Sequence, residues 1–166
     1  MSAQNEEELS AVTRRLMNDY FYALDSRQFA RAADTFGDEV RSSYGGLELP
    51  RGRKAVLDYL EAALRPTLAT RHHVTSVGVV ANGDRPRVRT HAIAYVLTPD
   101  ADAQEASRGL LHVRGLTYDD ELSWSERGWE VAVREHQVVW TSATPASIPA
   151  SGKDVIVGAA VAGLER

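Results

Sequence analysis

The first third of the chain repeats its apolar side chains every three to four residues, which is the period of an amphipathic helix. The pattern predicts three helices, at residues 5–24, 27–37 and 52–64. In the first of them the apolar stripe consists of Val12, Leu16, Tyr20 and Leu24. We expect a short extended segment between the second and third helices, ending at a turn made by Gly45 and Gly46.

The remaining chain is rich in β-branched and aromatic residues interrupted by turn sequences, which is typical of strands. We predict four long strands, at residues 72–81, 85–98, 110–124 and 129–141. Their connections contain the turn sequences NGD and SERG and one polar loop at residues 99–109. Helices followed by a run of strands predict an α+β fold with an antiparallel sheet.

The composition fits one globular domain, because the 166 residues are 43% hydrophobic and 25% charged. We expect this domain to span residues 1–166, with its core at about 8–141 and a C-terminal tail at 142–166. The absence of cysteine excludes disulfides, thiolate metal sites and a cysteine nucleophile. An N-terminus without the basic and apolar regions of a signal peptide favours a cytoplasmic protein.

Charge and hydropathy argue against two classes of partner. The net charge is -4 and the basic residues are scattered, so we do not expect nucleic acid to bind. No apolar run approaches the roughly 18 residues that indicate a membrane span, so we expect no membrane association.

Several nucleotide-binding and catalytic motifs are missing from the chain. It has no GxGxxG, no phosphate-binding loop, no GxSxG and no HExxH. We therefore expect no metal and no cofactor. Any catalysis should depend on acid and base side chains within an apolar pocket.

Two adjacent histidines, His72 and His73, open the first long strand. Neighbouring side chains of a strand point to opposite faces, so one imidazole should face the interior. Periodicity leaves the choice open, because Val74 and Val80 would share one face while Val77 and Val79 share the other.

Three segments in this order resemble the SnoaL-like branch of the nuclear transport factor-like superfamily: YFYALDSRQFARAADTF, ATRHHVTSV and GLTYDDELSWSERGWEV. The resemblance covers about residues 8–141. It implies a cone-shaped α+β barrel, in which a curved antiparallel sheet wraps around a helix and encloses an apolar cavity. Such a cavity suits a small hydrophobic ligand.

The resemblance to the dehydratases and the dehydrochlorinase of this branch also implies roles for individual residues. It makes His72 the inward-facing base and Asp25 the carboxylate that pairs with it. Tyr20 and Tyr44 would be catalytic hydroxyls. The chain departs from the pattern at Tyr118, where scytalone dehydratase has a second histidine, and at Tyr20, where the dehydrochlorinase has a lysine. Neither of those two substrates is therefore expected.

Each of these residues also has a structural interpretation. Asp25 is a good N-cap for the second helix, with Gln28 at the capping-box position. Tyr20 lies on the apolar stripe of the first helix, and Tyr44 is next to two glycines that form a turn. We interpret His136 as structural or exposed, and the acidic run YDDELSW as a solvated strand end.

Further residues are candidates for contact with a substrate because of their positions on strands. His112 and Tyr118 are six residues apart and share a face, with His112 nearer the rim. Tyr95 is expected to line the cavity wall on its own strand. The predicted substrate-binding residues are Tyr118, Tyr95 and His112.

The first functional hypothesis is a cofactor-independent lyase, most simply a dehydratase, acting on a small hydrophobic or polycyclic carbonyl compound. An isomerase or a polyketide-type cyclase would use the same pocket, and a non-catalytic ligand-binding module is the alternative from another class. Apolar residues on both faces of residues 92–97 argue for a homo-oligomer. The resemblance favours a trimer over a dimer, and the C-terminal tail would lie over the mouth of the cone or reach a neighbour.

Overall fold

The computed structural model of the chain describes residues 3–101 and 108–148. The predicted polar loop and C-terminal tail therefore lie partly outside the described residues. The helices are α1 (Ala3–Asp25), α2 (Phe29–Ala33) and α3 (Arg53–Leu64). The strands are β1 (Phe36–Tyr44), β2 (Leu47–Glu48), β3 (Ala69–Ala81), β4 (Arg87–Pro99), β5 (Arg108–Ser125) and β6 (Gly128–Ser147). Helix α2 is shorter than predicted, because Phe36 already pairs with Val131 in the sheet.

The six strands form one sheet in the order β2–β1–β6–β5–β4–β3. The α+β prediction is confirmed, with one correction to the sheet. Strand β1 runs parallel to β6, whereas the other pairs are antiparallel. This pair joins the first strand to the last, so no hairpin turn dictates its direction. The described strands leave β2 and β3 as edges, so the sheet is not closed.

Helix α1 ends in a Schellman motif that sets the position of Asp25. The amide of Gln28 donates to the carbonyl of Ala23 at 2.8 Å, and the amide of Arg27 donates to that of Leu24 at 3.0 Å. Arg27 has a φ of 59°, the left-handed conformation that glycine usually occupies at this position.

The side chain of Arg27 then fastens this helix end to the connection between α3 and β3. Its guanidinium donates to the carbonyl oxygens of Leu64 at 2.8 Å and Thr67 at 2.9 Å. A third hydrogen bond, of 2.7 Å, reaches the hydroxyl of Thr67. These contacts hold Asp25, the last residue of α1, beside the start of β3.

A β-bulge in β3 decides which of its side chains face α1. Val74 pairs with Ala92 and Ser76 pairs with His91, so Thr75 is an extra residue. An extra residue changes the phase of the inward and outward alternation. The inner face of β3 therefore carries Thr70, His72, Val74, Val77 and Val79.

Strand β6 contains the same feature at Ala132, opposite the step from Glu121 to Leu122 in β5. The alternation again changes phase, so Val131 and Arg134 are both buried on the inner face. The bulge thus brings polar side chains of β6 into the interior, which the apolar pattern of this segment does not predict.

The core lies between α1 and the inner face of the sheet. Helix α1 contributes Met17, Tyr20, Phe21 and Leu24, and the sheet contributes Phe36, Val40, Leu116, Leu122 and Val131. Among the described residues, no helix is both long enough and apolar enough to cross a membrane.

Candidate active site

His72 and Asp25 meet where the end of α1 lies against β3. The ring Nδ1 of His72 is 2.7 Å from Oδ1 of Asp25, which is within hydrogen-bonding distance. The backbone amide of His72 donates to Oδ2 of the same carboxylate at 2.8 Å. The hydroxyl of Thr70 donates to Oδ1, also at 2.8 Å. One carboxylate therefore fixes both the backbone and the ring of His72.

The hydrogen bonds at Asp25 also determine its charge. Burial raises the pKa of the Asp25 carboxyl, but the hydrogen bonds from His72 and Thr70 outweigh this effect and leave the pKa below its usual value. Asp25 is therefore ionised at neutral pH. The predicted capping role is not observed, because Gln28 is the N-cap of α2 and no side chain caps that helix.

The ring of His72 is held from one side by Phe21. The two rings stack with centroids 4.8 Å apart and an interplanar angle of 14°. The side chain of His72 is only 7% exposed, whereas His73 is exposed on the outer face, where it contacts Tyr95. His72 is thus the inward-facing histidine. With Nδ1–H donated to Asp25, neutral His72 has its lone pair on Nε2.

Three buried tyrosines form a cluster on the same side of the sheet. The hydroxyls of Tyr20 and Tyr44 are 3.3 Å apart, and the ring of Tyr118 meets that of Tyr20 edge-on at 6.4 Å. Tyr118 also contacts Phe21, with ring centroids 5.6 Å apart, and Phe21 stacks on His72. Tyr118 therefore joins the cluster to the pair formed by His72 and Asp25. The three tyrosines predicted as site residues therefore lie close together in the interior.

All three phenols are neutral at physiological pH. Burial raises the pKa of Tyr20 and Tyr118 far above the usual value, although the charge of Arg134 opposes it. Burial likewise raises the pKa of Tyr44, with the neighbouring Tyr20 adding to the effect. Neutral phenols retain their protons, so these side chains are able to donate hydrogen bonds to a ligand oxygen.

A buried ion pair lies beneath the tyrosine cluster. Arg134 donates through Nε and Nη2 to the two carboxylate oxygens of Asp120, at 2.8 and 2.7 Å. Its guanidinium carbon lies 4.6 Å from the ring centre of Tyr20 and 4.9 Å from that of Tyr118. The side chain of Asp120 is 2% exposed. The interpretation of YDDELSW as a solvated strand end is therefore wrong at Asp120, because Asp120 shares the inner face with its partner.

His136 is a site residue that the sequence interpretation missed. It pairs with Tyr118 of β5 on one side and with Tyr44 of β1 on the other. The ring centroids are 4.7 Å from Tyr118 and 5.3 Å from Tyr44. Its Nδ1 is buried and has no hydrogen-bond partner. His136 is two residues after Arg134, so the two side chains share a face of β6. The sequence does not show that this face points inward, because the bulge at Ala132 determines it.

His136 should make the stability of the protein depend on pH. Burial, followed by the charges of Arg134, His72 and Arg114, lowers the pKa of His136 from 6.5 to about 4. Between these values the unfolded chain binds a proton that the folded chain excludes, so stability falls as pH is lowered from about 6.5 to 4. His136→Asn has no imidazole at this position. We expect its free energy of unfolding to fall by about 3 kcal/mol less than that of the wild type over this window.

Urea denaturation at a series of pH values measures this difference. His91→Asn is the matched control, because His91 is exposed on the outer face and should leave the wild-type pH dependence unchanged. Parallel curves for the wild type and His136→Asn would show that His136 is not kept neutral by its surroundings.

The structure places the other two predicted contact residues, Tyr95 and His112, on opposite faces of the sheet. Tyr95 is 38% exposed and lies on the outer face, so the prediction that it lines the cavity wall is wrong. The inner face of β4 carries the small residues Ala92 and Ala94, which leave room for the rings of α1 and β5. His112 lies towards the end of the inner face, where its Nε2 is 3.2 Å from the hydroxyl of Thr98.

Within residues 3–101 and 108–148, no group of three or more histidine, aspartate or glutamate side chains is arranged to hold a metal ion. The acid and base groups described above are the carboxylate of Asp25, the imidazoles of His72 and His136, and three phenols.

Solved structures with the same fold include two proteins from Novosphingobium aromaticivorans. One, provisionally named a scytalone dehydratase, is 21% identical, with a TM-score of 0.68 over 87% of this chain and 93% of its own. The other, provisionally named an aromatic ring hydroxylase, is 19% identical, with a TM-score of 0.70 over 87% of this chain and 96% of its own. A type 2 hexachlorocyclohexane dehydrochlorinase is 16% identical, with a TM-score of 0.67 over 86% and 97% of the two chains.

No curated protein matches the chain. The family model described as SnoaL-like domain matches residues 8–135, which include most of α1, all the strands to the middle of β6, and both members of the histidine–aspartate pair. These residues make up most of the chain, and the solved structures share its fold. The chain therefore belongs to the SnoaL-like domain family.

Proposed function

We propose that the protein is a cofactor-independent lyase, most simply a dehydratase, acting on a small hydrophobic or polycyclic ketone. The observation that carries this proposal is the 2.7 Å contact between Asp25 and His72. It fixes the tautomer of a buried imidazole beside an apolar interior. That arrangement suits the removal of a weakly acidic proton from carbon.

In the proposed reaction, Nε2 of His72 takes the proton from the carbon next to the ketone. The electron pair of the C–H bond forms an enolate, and the carboxylate of Asp25 stabilises the resulting imidazolium. Collapse of the enolate expels a hydroxyl group from the β carbon. The proton on His72 passes to that hydroxyl, so water leaves, an enone forms and the imidazole is again neutral.

The tyrosines supply hydrogen bonds where negative charge develops. Tyr20 and Tyr44 present two neutral hydroxyls 3.3 Å apart, which suits donation to a single carbonyl or leaving oxygen. Tyr118 and the apolar side chains around it form a wall for the hydrocarbon part of the substrate. An isomerase or a cyclase would begin with the same proton removal and differ in the fate of the enolate.

The dehydration of 3-hydroxy-1-tetralone tests the proposal. This bicyclic β-hydroxy ketone loses water to form 1-naphthol, whose absorbance is easily followed. We expect the wild type to accelerate the reaction and Asp25→Asn to be much slower. Formation of 1-naphthol at the uncatalysed rate with the wild type would argue against a dehydratase of this substrate class.

Tyr44→Phe tests the proposed hydroxyl separately. Loss of a hydrogen bond to a developing charge costs about 1.5–3 kcal/mol, so we expect kcat for the dehydration to fall by about 10- to 100-fold. Tyr22→Phe, at an exposed position on α1, is the control and should have wild-type turnover. Undiminished turnover of Tyr44→Phe would remove Tyr44 from the mechanism.

We also propose that the outer face of the sheet is buried in a homo-oligomer, with three subunits favoured over two. Several large apolar side chains are exposed on this face, including Tyr95, Val139 and Trp140. Exposure of such a group is unusual in a monomer. Light scattering at micromolar concentration should give three times the chain mass of 18.2 kDa.

Tyr95→Glu should lower the measured mass, because it places a charge within the proposed interface. Tyr22→Glu changes a more exposed tyrosine on α1 and should leave the mass unchanged. A wild-type mass of 18.2 kDa would refute the oligomer, whereas a dimer would reject only the choice of three subunits.

A further inference from the structure

Several buried polar atoms without hydrogen-bond partners lie close together where β6 meets β1. Nδ1 of His136 and Nη1 of Arg134 have no hydrogen-bond partner, and neither has the hydroxyl of Ser42. Ser42 pairs with Arg134 across the boundary between β1 and β6. An unpartnered buried polar group costs about 1–3 kcal/mol, so several in one patch indicate that a ligand supplies the missing partner.

Among these atoms, Nδ1 of His136 is the one best placed to meet a substrate in the proposed site. Its ring lies between Tyr118 and Tyr44, and Tyr44 shares a hydroxyl contact with Tyr20. The ring is therefore adjacent to the pair of hydroxyls assigned to the carbonyl or leaving oxygen.

We propose that His136 is a further catalytic residue, whose neutral imidazole hydrogen-bonds through Nδ1 to the substrate oxygen that becomes the enolate oxygen. This inference rests on the proposed function and extends it, because it requires a substrate with oxygen at that position. A hydrocarbon or halocarbon of the same shape would leave Nδ1 without a partner.

The electrostatic surroundings support a division of roles between the two inward histidines. Burial and the neighbouring charge of Arg134 hold the pKa of His136 at about 4, so it is neutral at physiological pH. A neutral ring beside His72 does not repel the imidazolium that forms there. His72 has an aspartate partner and His136 has none among the described residues, so the first acts as the base and the second as a hydrogen-bonding group.

Binding of two matched bicyclic ligands tests the assignment without requiring turnover. 2-Naphthol has the shape and the oxygen of an enol, whereas naphthalene has the same ring system without oxygen. We expect the wild type to bind 2-naphthol at least about tenfold more tightly than naphthalene, as one well-placed hydrogen bond provides. His136→Leu should reduce this preference by about threefold or more, and the hydroxyls of Tyr20 and Tyr44 account for what remains. His136→Asn should retain most of it, because its amide lies near the position of Nδ1.

NMR spectroscopy observes the proposed hydrogen bond to His136 directly. In the wild type labelled with ¹⁵N-histidine, the Nδ1 signal that is missing from the His136→Asn spectrum should shift on addition of 2-naphthol and not of naphthalene. An undiminished preference in a folded His136→Leu protein, or equal binding of the two ligands by the wild type, would overturn the proposal. If the preference depends on His136 but 3-hydroxy-1-tetralone is not dehydrated, the binding role stands and the reaction assigned to the site fails.

Discussion

Replacing His72 by glutamine is expected to lower kcat for the dehydration by about 100- to 10,000-fold, the usual contribution of a general base. Glutamine has an amide that still donates to Asp25, so the substitution removes the base and keeps much of the local packing. The ring of Phe21 loses its stacking partner, which should cost little stability in comparison. The measurement is steady-state kinetics on 3-hydroxy-1-tetralone, with circular dichroism to show that the variant is folded.

His73→Gln is the matched control for this prediction. The two histidines are adjacent in β3, and only His72 faces the interior. We expect His73→Gln to keep a kcat within about twofold of the wild type, because an exposed side chain on the outer face makes no contact with the site. Equal effects of the two substitutions would contradict the assignment of His72 as the base.

Replacing Asp120 by asparagine is expected to produce the largest loss of stability, about 3–5 kcal/mol. The substitution nearly preserves shape but leaves the charge of Arg134 uncompensated in the interior, where its side chain is fully buried. The net stability of a domain is typically 5–15 kcal/mol, so this loss would be a large part of the whole. Urea denaturation with far-ultraviolet circular dichroism measures it.

The neighbouring residue provides a control with the same chemistry and different burial. Asp119 pairs with Arg89 at 2.7 Å on the outer face, where the arginine side chain is 49% exposed. Exposed pairs contribute about 0–1 kcal/mol, so Asp119→Asn should be nearly neutral. If Asp120→Asn were as mild as Asp119→Asn, the buried ion pair would not be a structural requirement of the site.

The order of the elements could be predicted from the sequence, because periodicity reports which residues are helical and which are extended. The faces of the strands could not be predicted in full. An extra residue at Thr75 brings Val77 onto the face of His72, and an extra residue at Ala132 brings Arg134 inward. A strict inward and outward alternation assigns Val77 and Arg134 to the wrong face, and nothing in the local sequence marks a bulge.

The contact between His72 and Asp25 was expected from the resemblance, whereas Tyr95 was assigned to the wrong face and His136 was not assigned to the inner face. Size and hydrophobicity suggest that a large aromatic residue such as Tyr95 faces inward, but small residues such as Ala94 occupy that face. His136 is polar in a segment whose valines suggest the opposite phase. Its burial depends on pairing with strands that are distant in sequence, which local patterns do not encode.

Exchange of the α protons of 2-tetralone in D₂O tests the central claim, that His72 removes a proton from carbon next to a ketone. Proton NMR follows the loss of these signals and needs no assumption about the later steps, so it applies equally to an elimination, an isomerisation or a cyclisation. We expect the wild type to accelerate the exchange well above the buffer rate, His73→Gln to match it, and His72→Gln to return it to the buffer rate. Exchange at the buffer rate with the wild type, or equal acceleration by His72→Gln, would contradict the account.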